Sequence, residues 1–301
     1  MGAMGSIAIS LNATLMCAGG TAYGISETGV YASMKPFNDA IAYAPDPVPV
    51  CGGLINACLV GQTSDGIIVA FRGTVAKDWK DWLQDCMIEP VAVPGLPGRV
   101  HKGFYDAVNS VMDRVIAAVR ALKPSADNPV YVTGHSKGGG MAPIAALLLK
   151  NAGIDVRQVV TFAAPKSGNV EFKNGYEAVF NNHLRFENYG DLVPLVPASA
   201  SSGALGRIIE RIPNLGPELR DSLAQAAAWN YAPVGTQKFI ESPGRKYEVR
   251  TNVPEIEQVT DFVFNLAPHI GQPIPTLTEA HVLVCGKGYM TAVCPPSVCG
   301  A

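Results

Sequence analysis

The chain has 301 residues, 48% of them hydrophobic and only 16% charged, with 23 basic against 25 acidic side chains and a net charge of −2. That composition excludes a disordered chain, which needs low hydrophobicity and high charge, and it leaves no basic footprint for nucleic acid. No apolar run approaches the ~18 residues of a membrane span; the longest, Met141 to Leu149, is interrupted by Pro143.

Met1 to Ser6 reads as a vector-derived remnant and is set aside, leaving 7–301 as one expected α/β domain. The first basic residue is Lys35, so the sequence has no positive leader region. Secretion is the favoured location, with the leader missing from this sequence. The seven cysteines are Cys17, Cys51, Cys58, Cys86, Cys285, Cys294 and Cys299. Three readings stay open: a disulfide tying the two chain ends together, buried small hydrophobes, or a zinc site of Cys285, Cys294 and Cys299 near His281. The last lacks the paired C-x-x-C spacing of zinc ligands, and no metal or cofactor is expected. Asn12-Ala13-Thr14 is a glycosylation sequon.

Residues 54–60 and 66–71 are short apolar runs separated by Gln62 to Gly66, which predicts a strand, a turn and a strand. Residues 74–85 fit a short helix carrying Trp79, Trp82 and Leu83, and Val91 to Arg99 is a proline- and glycine-rich loop. From Phe104 the apolar residues Val108, Val111, Val115 and Val119 recur at helical spacing. Val130 to Thr133 is a strand, and Met141 to Lys150 is a helix apolar on nearly all sides, the mark of an element buried between layers. Val159 to Ala164 and His183 to Tyr189 are further strands. Strands alternating with helices predict a central, mostly parallel sheet covered on both faces. Residues of about 198–240 read as a helical insertion, broken by Pro213 and Pro217.

Between the Val130 strand and the apolar helix lies Gly134-His135-Ser136-Lys137-Gly138. A G-x-S-x-G in that strand–turn–helix setting is a nucleophile elbow, which lifts a serine hydroxyl above the sheet. Walker A is excluded, because Ser136 precedes Lys137 rather than following it. A serine needs a base and an orienting carboxylate, in the chain order Ser, acid, His for this kind of turn. Asp191 follows the His183 to Tyr189 strand at its carboxyl end, where open α/β sheets place their sites. Of the five histidines, only His269 and His281 come after Asp191.

These residues carry a resemblance. Val69-Ala70-Phe71-Arg72-Gly73-Thr74, Val100 to Phe104, the elbow, Thr161 to Pro165, and Tyr189-Gly190-Asp191-Leu192-Val193-Pro194 together resemble the class 3 lipases, in the same order. The match spans about residues 50–200, and residues 200–260 have no counterpart in the pattern. The resemblance implies an α/β-hydrolase fold that cleaves carboxylic esters of acyl glycerols through Ser136, Asp191 and a histidine. Thr74 and the amide of Lys137 become the oxyanion hole, which agrees with the two preorganised donors that acyl transfer needs. His281 is preferred over His269, because the family's base lies on its last loop, shortly before a terminal element with an aromatic residue, here Tyr289. Lys137 departs from the family, which often has an apolar residue there. The segment of about 75–98 resembles the family's lid. His101 and His135 resemble structural supports. The expected partner is a lipid ester at an oil–water or membrane interface, with no nucleic acid and no membrane-spanning segment; oligomeric state is unspecified. Alternatives are a phospholipase A1, including a secreted antibacterial effector, a feruloyl-type esterase, or an inactive hydrolase scaffold used for binding.

Overall fold

The computed structural model describes residues 9–26, 28–52, 56–74, 86–197, 221, 225, 228–266 and 280–299. Among these residues the chain begins with helix α1 (Leu11–Thr21), followed by β1 (Val48–Gly52), β2 (Asn56–Thr63), β3 (Gly66–Phe71), β4 (Pro90–Val91) and β5 (Val100–His101). Helix α2 (Lys102–Ala121), β6 (Val130–His135), α3 (Lys137–Asn151), β7 (Val156–Phe162), β8 (Gly168–Asn169), α4 (Val170–Glu177) and β9 (His183–Asn188) come next. The last elements are β10 (Tyr231–Ala232), β11 (Thr236–Ile240), β12 (Val249–Arg250), α5 (Glu255–Leu266) and α6 (Gly288–Val293).

The main sheet runs β1-β2-β3-β6-β7-β9-β11-β12. Its centre, β3 through β11, is parallel, and antiparallel strands close both edges. A small sheet, β10-β8-β5-β4, stands apart from it. β3 and β6 are buried along their whole length, as expected of parallel strands covered on both faces.

Each face has its own apolar cluster. One gathers Val108, Val111 and Val115 of α2 with Ile144 and Leu149 of α3 under β3 and β6. The other gathers Leu15, Met16 and Cys17 of α1 with Tyr289 and Met290 of α6. Helix α2 buries Phe104, Ala107, Val108, Val111, Met112, Val115 and Val119, the three-and-four spacing that its sequence displays. Helix α3 is buried on nearly all sides because it lies between the sheet and α2.

One expectation changes, and one open reading of the cysteines is decided. The segment of about 198–240 is not wholly an insertion: Thr236–Ile240 is a strand of the main sheet, parallel to β9. Its polar Gln237 masks the strand in the sequence, yet that side chain is buried and satisfied, donating to Glu187 Oε2 at 2.6 Å and accepting from the Val253 amide at 2.7 Å. The cysteines of the C-terminus are not zinc ligands, since Cys285 and Cys299 are joined as a disulfide and have no thiolate to give. The sequon lies inside α1, with Thr14 buried and Asn12 partly exposed. The helix expected at 74–85 beyond Thr74, the first part of the lid range (75–85), the helices expected between 198 and 220, and His269 lie outside the described residues, whereas residues 86–98 of the expected lid are tied into the fold, with Pro90–Val91 paired to β5, Cys86 buried and the Ile88 carbonyl accepting from the Tyr231 hydroxyl.

Candidate active site

Ser136 stands between β6 and α3 in a backbone conformation that side chains rarely adopt, φ 58° and ψ −131°. Strain of this kind persists only where surrounding structure over-determines it. Its amide donates to the Phe162 carbonyl at 3.0 Å, and its carbonyl accepts from Gly140 at 3.2 Å. The elbow is pressed onto the end of β3: a Cβ on Gly138 would lie 2.1 Å from the Phe71 carbonyl oxygen. Only glycine allows that approach.

After β3 the chain turns through Arg72, Gly73 and Thr74. Arg72 is buried and donates to the Ile25 carbonyl, while its amide donates to Ala57 O at 3.0 Å. Gly73 lies flush on the elbow, since a Cβ there would meet Tyr23 Oη at 2.1 Å and the His135 carbonyl oxygen at 2.7 Å. Thr74 therefore follows a turn whose path is set by the elbow itself. Lys137 is the first residue of α3, so its N–H has no intrahelical acceptor and points from the positive end of the helix. Its side chain donates to Asn56 Oδ1 at 3.1 Å, at the start of β2.

His281 meets Ser136 and Asp191 together. Its Nε2 is 2.8 Å from Ser136 Oγ, and its Nδ1 is 3.1 and 3.0 Å from the two oxygens of Asp191. A carboxylate only accepts, so Nδ1 carries the proton and Nε2 accepts from the serine hydroxyl. Ser136 and Asp191 are buried, and the His281 side chain keeps 18% of its surface exposed. The site is thus shielded from water on the serine and carboxylate sides and open at the imidazole.

Asp191 is held by two further donors. Tyr289 of α6 donates its hydroxyl to Oδ2 at 2.7 Å, and the Val193 amide donates to Oδ1 at 2.9 Å. The Tyr289 oxygen in turn accepts from the Asn188 amide at 3.1 Å. The segment bearing His281 is fixed at two carbonyls: Asn188 Nδ2 donates to Ala280 O at 2.8 Å, and His135 Nε2 donates to His281 O at 2.7 Å. Because a carbonyl only accepts, His135 Nδ1 is unprotonated and accepts from the Tyr23 hydroxyl at 2.8 Å. Burial first, and the neighbouring His281 second, hold His135 down at about 3, so it stays neutral beside the Ser136 partner.

His101 caps α2, accepting from the Phe104 amide at 3.2 Å, and burial lowers it to about 4. Among the described residues, the Ser136 hydroxyl is hydrogen-bonded to His281, while His101 and His135 bond elsewhere. Tyr23 and α1 went unread in the sequence. Helix α1 has no amphipathic period, being buried on most sides, and a lone tyrosine carries no motif.

The family model for class 3 lipases matches residues 68–201. The chain is 31% identical over 146 residues to a lipase of Rhizomucor miehei, covering 46% of this chain and 40% of that protein. It is 34% identical over 171 residues to phospholipase A1-II 5 of Oryza sativa subsp. japonica, covering 46% and 36%. The matching part thus spans about two-fifths of the length of these curated relatives. A solved structure of MDLA from Penicillium cyclopium superposes with a TM-score of 0.63 at 18% identity, over 93% of this chain and 100% of that one. At that identity the likeness establishes the α/β-hydrolase fold.

Proposed function

We propose that this chain, which belongs to the class 3 lipase family across residues 68–201, hydrolyses carboxylic esters of lipids at Ser136. The observation that carries the reading is the single imidazole bridging Ser136 Oγ and the Asp191 carboxylate. Ser136 Oγ attacks the ester carbonyl carbon while His281 Nε2 takes its proton. Asp191 keeps the imidazole in the required tautomer and balances the imidazolium that forms. The amides of Thr74 and Lys137 receive the developing oxyanion. His281 returns the proton to the leaving alcohol, and water, activated by the same imidazole, releases the fatty acid from Ser136. The oxyanion role of Lys137 needs only its backbone, which is why its charged side chain is compatible with the chemistry.

The lipid character of the substrate draws support from the family and from Val282 and Val284, exposed directly after His281. They give an acyl chain or a lipid surface an apolar rim to meet. The lid in this proposal is confined to about 75–85, because the remainder of the expected range carries β4, paired with β5, within a single domain over 7–301. Phospholipase A1 activity is the second reading, favoured by the 34% identity to a protein named for it. A panel of p-nitrophenyl butyrate, emulsified triacylglycerol and phosphatidylcholine tests both, run with wild type and Ser136→Ala. The proposal expects hydrolysis of p-nitrophenyl butyrate and of triacylglycerol, both lost in Ser136→Ala. Release of the sn-1 chain from phosphatidylcholine without triacylglycerol turnover selects the second reading. Equal turnover by Ser136→Ala overturns both.

A further inference from the structure

The two oxyanion donors of the esterase reading come from separate segments, Thr74 on the turn after β3 and Lys137 at the first position of α3. Such donors act only if both are aimed beforehand at one point, so the two segments must keep a fixed spacing. Part of that spacing is backbone contact, because Gly138 lies against the Phe71 carbonyl. The start of β2 supplies a second hold, and it grips both segments. The Ala57 carbonyl accepts from the Arg72 amide at 3.0 Å, one step beyond the β2–β3 ladder. Asn56, the residue before it, accepts at Oδ1 from Lys137 Nζ at 3.1 Å.

The Asn56 side chain is itself fixed. Its Nδ2 donates to Ser110 Oγ of α2 at 3.4 Å, and that hydroxyl gives its own proton to the Ala107 carbonyl at 2.7 Å. An ammonium can only donate, so the amide has a single consistent orientation, with oxygen toward Lys137 and nitrogen toward Ser110. Asn56 also pairs with Gly52 across the β1–β2 hairpin. Both Asn56 and Lys137 are half-buried, which shields the bond between them from competing water. An apolar side chain at position 137 could not make this bond.

We propose that the Lys137 side chain is a positioning residue. By bonding Asn56 it ties the head of α3 to the strand end that also holds the Thr74 turn, and so aims its own backbone N–H at the oxyanion. The ammonium thus serves the transition state through the amide of the same residue, without touching substrate. This inference rests on the esterase reading and deepens it.

The test compares Lys137→Met, Lys137→Arg, Asn56→Leu and the Lys137→Met/Asn56→Leu double variant with wild type and Ser136→Ala. Each is assayed for kcat and KM on p-nitrophenyl butyrate and for inhibition by butaneboronic acid, whose tetrahedral adduct on a serine places an oxygen in the oxyanion hole. Losing an oxyanion donor outright costs roughly 10²–10³-fold in kcat; a donor that is kept but loosened should cost less, about 3- to 30-fold. The proposal expects that loss in Lys137→Met and in Asn56→Leu, with KM within about twofold of wild type and boronic acid binding weakened in step with kcat. The double variant should be no worse than the poorer single one, because both break the same bond. Lys137→Arg should recover most of the rate, since a guanidinium still donates to Asn56. If Lys137→Met folds poorly, Asn56→Leu carries the same test from the other side of the bond. Wild-type kcat in both single variants, additive losses in the double variant, or a raised KM at unchanged kcat overturns the proposal while leaving the esterase reading in place. An inactive wild type, or an active Ser136→Ala, brings down both.

Discussion

The two halves of the candidate site are built in opposite ways. Ser136 arrives on a strand–turn–helix whose shape is dictated locally: β6 ends, two glycine contacts allow the tight turn, and α3 begins at the next residue. His281 stands with Ala280 at a helical position just before an irregular segment, and its place is set by distant partners. Asn188, His135 and Asp191 fix that stretch across 92, 146 and 90 positions of sequence. One half is held by backbone geometry and the other by side-chain hydrogen bonds. The second half should therefore be the more sensitive to single conservative substitutions.

The largest effect in that comparison is expected at the imidazole. His281→Ala should lower kcat on p-nitrophenyl butyrate by roughly 10⁴–10⁶-fold, since nucleophile and base act as a unit, while circular dichroism remains that of the wild type. His269→Ala should retain most of its activity. Near-normal turnover in His281→Ala, with His269→Ala inactive, would transfer the base to the other histidine.

Tyr289→Phe probes the support of Asp191. It removes one hydrogen bond to a charged group, a loss of roughly 1.5–3 kcal/mol, or about 10- to 100-fold in kcat. KM should stay near its wild-type value, because the tyrosine touches no substrate in this scheme. An unchanged kcat would mean that the two remaining contacts of Asp191 suffice.

Tyr23→Phe should act more weakly. The neutral bond to His135 is worth roughly 0.5–1.5 kcal/mol, so kcat should fall by about 2- to 10-fold. The effect reaches the imidazole only through the His135 grip on the His281 carbonyl. If Tyr23→Phe proves as damaging as Tyr289→Phe, the tyrosine also positions the oxyanion turn at Gly73, which its hydroxyl touches.

The smallest effect concerns stability rather than rate. Burial holds His101 at about 4 and His135 and His183 at about 3, below the unfolded value of about 6.5. Above about pH 6.5 they are neutral in both states and contribute nothing to the pH dependence. Below it the unfolded chain takes up protons that the folded chain refuses, so stability falls as pH drops toward 4. Urea unfolding between pH 4.5 and 6 should show this slope, and His135→Gln should flatten it by about one proton. An unchanged slope in the variant would place a charged His135 in the folded state.

The same contrast explains what the sequence made legible. The elbow was readable because strand, glycines and apolar helix are contiguous, and Asp191 because it follows a strand in a recognisable turn. The histidine was a choice between two residues, since nothing near His281 announces the contacts it makes with β9 and the elbow. Tyr23 and α1 were invisible for a related reason: a helix buried on most sides has no polar face to reveal its period. Strand β11 was hidden by Gln237, whose amide is matched by Glu187 and Val253 only once the chain has folded. The disulfide followed the same rule, with the count of cysteines visible and their pairing set by packing.

The central claim is that Ser136 is a nucleophile activated by His281. Labelling with a fluorophosphonate probe tests it most directly, because the probe reacts with an activated serine and needs no knowledge of the acyl chain. The account predicts one adduct per chain on the peptide containing Ser136, absent in Ser136→Ala and slowed at least a thousandfold in His281→Ala, roughly the loss expected when one member of such a unit is removed. An adduct on another residue, or equal labelling of Ser136 in His281→Ala, would contradict it.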